Sequence, residues 1–259
     1  MPILAYVNPK GGAGKSTSAL VLATQLSLQT DVTLIDADPN RTVKLWAAPQ
    51  KNLGRLTVVD GATEDNLLNM IDDAVKKTPF VILDMEGTAS RLVGLAVSHA
   101  DLTIIPVQGS QPDAAMAGKA LNLIKQSEQT IRRGNPTFTL RYTVLMTRTP
   151  LVARSRTLRS VEENFIDADM PMLDTELNER DAFKAMLSYA CPLESLTDKE
   201  APNVPKAIDN ARQYAMEVVE ILKSPDRLIV RAAERKEQLA LKRKADQAKA
   251  VAKQASALN

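Results

Sequence analysis

The chemistry in this chain is concentrated in one run, Lys10-Gly11-Gly12-Ala13-Gly14-Lys15-Ser16-Thr17. Glycines let successive backbone N–H groups converge on an oxyanion. A following lysine adds a point charge on the outer phosphates, and a following serine offers a hydroxyl to magnesium. The chemistry implied is polyphosphate binding through residues 10–17, with Lys15 as the cation and Ser16 as the metal ligand. The general spacing for such a loop, G-x-x-x-x-G-K-[ST], asks for glycine at position 9. This chain has Pro9 there, and it places a second lysine, Lys10, ahead of the glycines. Three acids extend the pattern: Asp36 and Asp38 in Asp36-Ala37-Asp38-Pro39-Asn40, and Asp84 at the end of Phe80-Val81-Ile82-Leu83-Asp84. Carboxylates beside a phosphate site can hold magnesium through water and orient an attacking water.

These residues are useful only if the chain's elements deliver them to one place. Ile3–Val7 reads as a buried strand, and apolar residues at helical spacing follow Lys15 (Leu20, Leu22, Ala23, Leu26). Strand, glycine turn and helix in that order aim a helix N-terminus at the bound anion. Further short strands are expected at 31–36, 56–59, 80–84, 101–107, 138–146 and 170–173. Helices are expected at 64–75, 113–131, 179–187 and 204–222, with another beginning near Arg154, Arg156 and Arg159. Such alternation predicts an α/β fold: a mainly parallel central sheet with helices on both faces. In such sheets ligands gather at the carboxyl ends of the strands, where Asp36 and Asp84 fall.

Composition narrows the function classes. The 259 residues are 44% hydrophobic and 25% charged, as in ordinary globular proteins. No run approaches the roughly 18 apolar residues of a membrane span, and the first residues lack a signal-peptide pattern. The single Cys191 excludes an internal disulfide or a Cys-x-x-Cys site, and the single His99 leaves little for a zinc site or a Ser-His-Asp triad. A cytoplasmic location fits. Residues 226–259 carry nine Lys/Arg and four Asp/Glu, leaving 24 basic and 27 acidic for residues 1–225. Ser224-Pro225 marks the change, so the expected domains are 1–224 and a basic tail, 225–259, read as a solvated, partly ordered helix without a continuous apolar stripe. The charge imbalance points to an anionic partner.

With these motifs in place, the chain resembles the ParA/MinD family of deviant Walker ATPases, most closely the short plasmid-partition ParA type, over roughly residues 1–223. The likeness rests on residues 8–17, on Asp36 to Asn40 with Trp46, on Asp84, on Ala100 to Val107, on Thr147-Arg148 and on Asn178 to Phe183. It implies a P-loop NTPase that hydrolyses ATP with Mg2+ in a homodimer. Lys15 would bind phosphates in cis and Lys10 in trans; Ser16 would ligate magnesium, with Asp36 and Asp84 behind it, and Asp38 would position water. Thr147, Arg148 and the region of Arg180 would lie near adenine. Implied partners are a second copy of the chain, non-specific DNA on the nucleoid and a small centromere-binding adaptor. Arg154, Arg156 and Arg159, with Arg132 and Arg133, are the DNA-facing candidates. Relatives acting on the border of transferred DNA have a similar pattern. Two other readings are a membrane-surface ATPase like MinD, disfavoured by a tail without aromatics, and a non-hydrolysing scaffold. Where many relatives have Pro-Pro or a glycine turn after the Walker B acid, this chain has Met85-Glu86-Gly87, which sets Glu86 beside the phosphates.

Overall fold

The computed structural model describes the backbone of residues 1–257 and the side chains of residues 1–250. Seven parallel strands form one sheet in the order β3-β2-β4-β1-β5-β6-β7. They are β1 (Ile3–Tyr6), β2 (Val32–Ala37), β3 (Leu56–Asp60), β4 (Phe80–Met85), β5 (Leu102–Val107), β6 (Tyr142–Thr149) and β7 (Leu177–Asn178). Every residue of β2 and β5 is buried. That burial explains their mainly apolar character, because helices cover both faces of a parallel sheet.

Alternate residues of β1, β2, β4, β5 and β6 feed two separate cores. On one face Leu4, Tyr6, Leu34 and Ile82 pack with α1 (Lys15–Ser27), α7 (Asp181–Ser188) and α8 (Val204–Lys223). On the other, Ala5, Val7, Ile35 and Leu83 meet α3 (Leu67–Val75), α4 (Arg91–His99), α5 (Gln111–Arg132) and α6 (Arg156–Asp167). Two buried polar contacts pin the first layer. The Tyr6 and Tyr214 hydroxyls share a hydrogen bond between β1 and α8, and Trp46 Nε1, on the short α2 (Thr42–Ala47), donates to the Met186 carbonyl at 3.0 Å.

Three expected elements differ. Residues 138–141 precede β6 rather than belong to it. Met170–Leu173 contributes one isolated bridge, Val144 to Met172, and the seventh strand is instead the two-residue β7. The helix expected from residue 64 begins at Leu67, because Thr63 and Asn66 form a side-chain-braced turn ahead of it.

The basic tail is a helix, α9 (Asp226–Ala257). Leu228 and Leu239 are buried, and the intervening basic residues pair with acids of the body. Arg231 meets Glu217 at 2.6 Å, Lys236 meets Asp169 at 2.7 Å, and Arg243 meets Asp167 at 2.9 Å, while Arg235 donates to the Met172 carbonyl at 2.6 Å. The first half of the tail therefore spends its charge on the protein itself. The exposed pairs of Lys236 and Arg243 contribute about 0–1 kcal/mol each and weaken with salt, whereas Arg231–Glu217 is largely buried and less screened.

Candidate nucleotide-binding site

The phosphate loop lies between the end of β1 and the start of α1. Gly12 and Gly14 have φ of +78° and +101°, values that side chains with a Cβ rarely adopt. No side chain caps the N-terminus of α1, so its first N–H groups face a cavity of about 420 Å³. An uncapped helix start above a glycine turn is an anion site. The loop is braced from outside by residues whose roles a linear reading does not expose. Asn8 Nδ2 donates to the Pro106 carbonyl at 2.7 Å, Gln108 Nε2 to Gly12 at 2.6 Å, and Thr147 Oγ1 to Ala13 at 2.9 Å. A Cβ on Gly14 would sit 3.4 Å from Thr147. Gly14→Ala thus meets both backbone strain and the brace. It is expected to cost about 1–3 kcal/mol in urea unfolding and to abolish saturable binding of a fluorescent ATP analogue.

Lys15 lies buried at the floor of this cavity, its Nζ 3.4 Å from the Lys10 carbonyl. Burial pulls its pKa down, while the carboxylates of Asp84, Asp38 and Glu86 push it back up. Nearby acids therefore offset the cost of burying the lysine's charge, and two of them, Asp38 and Glu86, line the same cavity. Glu86 lines the cavity with Asp38 and Lys15. Gly87 lets the Walker B turn approach closely, since a Cβ there would be 3.4 Å from Lys15 Nζ and 3.5 Å from the Gly11 nitrogen.

The three acids are brought together by strand register, with Asp36 beside Asp84 on neighbouring β2 and β4. Their environments separate their roles. Asp36 accepts N–H bonds from Lys44 at 2.8 Å and Asp38 at 3.2 Å, so it ties the 38–42 turn to the end of β2. Burial still raises its pKa, partly offset by those amides. Asp38 is half-buried, accepts the Asn40 N–H at 2.8 Å and faces the cavity. Asp84 is fully buried, and neither carboxylate oxygen has a hydrogen-bond partner among the described residues. Burial drives its pKa up to about 7; Ser16 and Lys15 pull the other way, and Asp36 and Asp38 add to the rise.

An orphaned buried carboxylate beside a serine hydroxyl is the environment a magnesium ion fits. Among the described residues, no cluster of three or more His, Cys, Asp or Glu could hold an ion by itself. Magnesium takes one or two protein ligands and completes its shell with water and substrate phosphates, a number that Ser16 and Asp84 can supply.

A smaller cavity adjoins the first, lined by Thr17, Thr147, Arg148, Asn178, Arg180 and Phe183 among others. Arg148 lines both cavities. Its φ of +51° and a register irregularity at Thr147/Thr149 re-aim it at the end of β6. Arg180 has a buried Nε without a partner. An apolar slot with unspent donors next to a phosphate cradle can take a planar base.

The expected DNA-facing arginines lie apart from this site. Arg156 and Arg159 are exposed on α6, whereas Arg154 is bound to both Glu162 and Glu176. Arg132 is likewise paired, with Glu128 at 2.9 Å. Arg154 and Arg132 are thus charge-compensated within the chain, Arg154 by Glu162 and Glu176 and Arg132 by Glu128 one turn back on its own helix α5.

Known proteins resemble this chain in sequence and fold. The family model described as VirC1 protein matches residues 1–224. Protein ParA of Rhizobium radiobacter is 33% identical over 219 residues, covering 84% of this chain and 96% of that protein. Protein virC1 of the same organism is 25% identical, covering 86% and 96%. Among solved structures, McdA of Cyanothece without nucleotide has a TM-score of 0.64 at 15% identity, over 82% of this chain and 98% of that one. Its ATP complex, of a variant protein, gives 0.58 at 17% identity over 81% and 96%.

Proposed function

Starting from the fact that this chain belongs to the VirC1 family of ParA-type deviant Walker ATPases, we propose that it is an ATP-hydrolysing DNA-partition protein. The observation that carries the reading is the pairing of an anion cradle with an orphaned, buried Asp84 at one strand edge. In this reading the amides of residues 11–17 and Lys15 hold the phosphates, and Arg148 and Arg180 flank the base. Asp36 holds the 38–42 turn so that Asp38 can orient a water against the terminal phosphate. Ser16 and Asp84 would hold Mg2+, whose positive charge would stabilise charge on the transferred phosphoryl group. The ATP complex of Cyanothece McdA supports nucleotide binding by this fold.

ATP would bring two copies together, with Lys10 of each reaching the other's nucleotide, and the pair would bind DNA without sequence preference. An adaptor would then trigger hydrolysis and release. No helix of the described residues is long and apolar enough to cross a membrane, and the proposed site of action is the nucleoid. Arg156 and Arg159 are the proposed phosphate contacts, because they are exposed and, among the described residues, without an ion pair, unlike Arg154.

DNA binding should require ATP and fall steeply with salt. Arg156→Ala with Arg159→Ala should flatten the log–log salt slope by about 2, roughly one unit per lost contact. Fluorescence anisotropy on two unrelated duplexes tests this, and binding without ATP, or one duplex strongly preferred, defeats the switch. The match to the VirC1 model favours a second reading, in which the same switch serves DNA transfer. Deletion in the native host separates the two, by plasmid loss without selection against reduced transfer to recipients.

A further inference from the structure

The side chain of Lys10 does not point into its own phosphate cradle. Its Nζ is bound to Asp113 Oδ1, in the first turn of α5. Asp113 is 2% exposed while Lys10 is 37% exposed, so the pair joins a buried anion to a half-solvated cation. The other carboxylate oxygen of Asp113 accepts the Ser110 hydroxyl, and Ser110 Oγ in turn accepts the Asp113 N–H at 3.4 Å. We propose that Asp113 is the positioning residue for Lys10, holding it in the nucleotide-free monomer so that ATP-driven pairing must draw it away. The proposal rests on reading Lys10 as the group that reaches the partner's nucleotide.

Three features separate this contact from an ordinary structural ion pair. First, the loop does not need it. The Lys10 N–H is already fixed by Asn8 Oδ1 at 2.9 Å, and the glycines are braced by Gln108 and Thr147. What the pair fixes is the direction of a four-carbon side chain that otherwise keeps its rotamer freedom. Second, α5 does not need it, because Ser110 already caps the helix. Third, Asp113 remains stabilised when Lys10 leaves, through the Ser110 hydroxyl and the positive end of α5. The anion can therefore release the cation without being stranded. A lysine bound to its own chain cannot at the same moment reach a second subunit, so the cis contact competes with the trans one.

The experiment uses the full chain and two readouts. Without nucleotide, the rate of Lys10 acetylation is followed by peptide mass spectrometry; with AMPPNP and Mg2+, the dimer dissociation constant is measured by sedimentation. Asp113→Asn, with Asp113→Ser as a second variant, should raise Lys10 labelling about fivefold. The same variants should lower the dimer constant about tenfold, because two partly exposed pairs are broken per dimer and each contributes a few-fold. Unchanged labelling in both variants overturns the proposal, since Asp113 would not be holding Lys10. Raised labelling with an unchanged or weaker dimer also overturns it, since the contact would not oppose pairing. Failure of the underlying reading looks different: Lys10→Ala would then dimerise as the parent does.

Discussion

Asp84→Asn is expected to make the nucleotide-free protein more stable and, at the same time, inactive. The carboxyl group of Asp84 is buried at the end of β4 without a hydrogen-bond partner, and its pKa rises from 3.8 to about 7. A folded-state pKa above the unfolded value means that the native protein holds the proton more tightly. The stability associated with this group is present below the unfolded pKa and is lost as pH rises through about 7. Ionising this carboxyl group in the empty protein therefore costs on the order of 4 kcal/mol at pH 8. Asparagine has no charge to desolvate but leaves an amide poorly partnered, which returns part of the gain. Urea unfolding should therefore show Asp84→Asn about 2–4 kcal/mol more stable than the parent at pH 8, and close to it at pH 4. Magnesium-dependent ATP hydrolysis should meanwhile fall below detection. A variant destabilised equally at both pH values would show that burial of the anion is not what Asp84 costs the fold.

A site that destabilises its own empty form can be recognised from the chain only in part. The phosphate loop is legible because its chemistry is local: glycine geometry, a lysine and a serine within eight residues. β1, β2, β4 and β5 are legible for a similar reason, since burial on both faces leaves short, mainly apolar runs. The orphan state of Asp84 is not legible, because it depends on neighbours from β1 and β2 that lie about 50 to 80 positions away. The same holds for the Thr147 brace, 134 positions from its acceptor, and for the Lys10–Asp113 pair, 103 positions apart.

The tail shows another kind of illegibility. Leu228, Arg231, Arg235 and Leu239 fall at helical spacing, so α9 does have one docking face, but half of it is arginine. Its counterpart is a set of acids, Asp167, Asp169, Asp174 and Glu217, on other elements. A mixed stripe looks solvated until those acids are seen opposite it. The two-residue β7 is lost for a simpler reason: it is too short to carry a period. α2 spans six residues, so its buried face of Val43, Trp46 and Ala47 is too short to repeat as a hydrophobic period, and Asp36 holds it as well through the Lys44 N–H.

Lys10→Ala is expected to separate nucleotide binding from everything that binding switches. Lys15 occupies the cradle, whereas the Lys10 ammonium faces Asp113. A monomer lacking the Lys10 side chain keeps the glycine amides, the start of α1 and Lys15. ATP affinity in isothermal titration should therefore stay within about threefold of the parent, or less than about 1 kcal/mol. If the site is completed by the partner's Lys10, two things fail together. Sedimentation with AMPPNP should show monomer at concentrations where the parent is a dimer. Hydrolysis should fall by roughly 10³-fold, the lower end of the loss when a cation supplied in trans is removed from phosphoryl transfer. The fold should survive, because Asp113 keeps the Ser110 hydroxyl and the N-terminus of α5. An alanine variant that binds ATP, stays monomeric and does not turn over places Lys10 between subunits. One that hydrolyses ATP at the parental rate removes the shared active site from the proposal, and Pro9-Lys10 would then be no more than an irregular glycine loop.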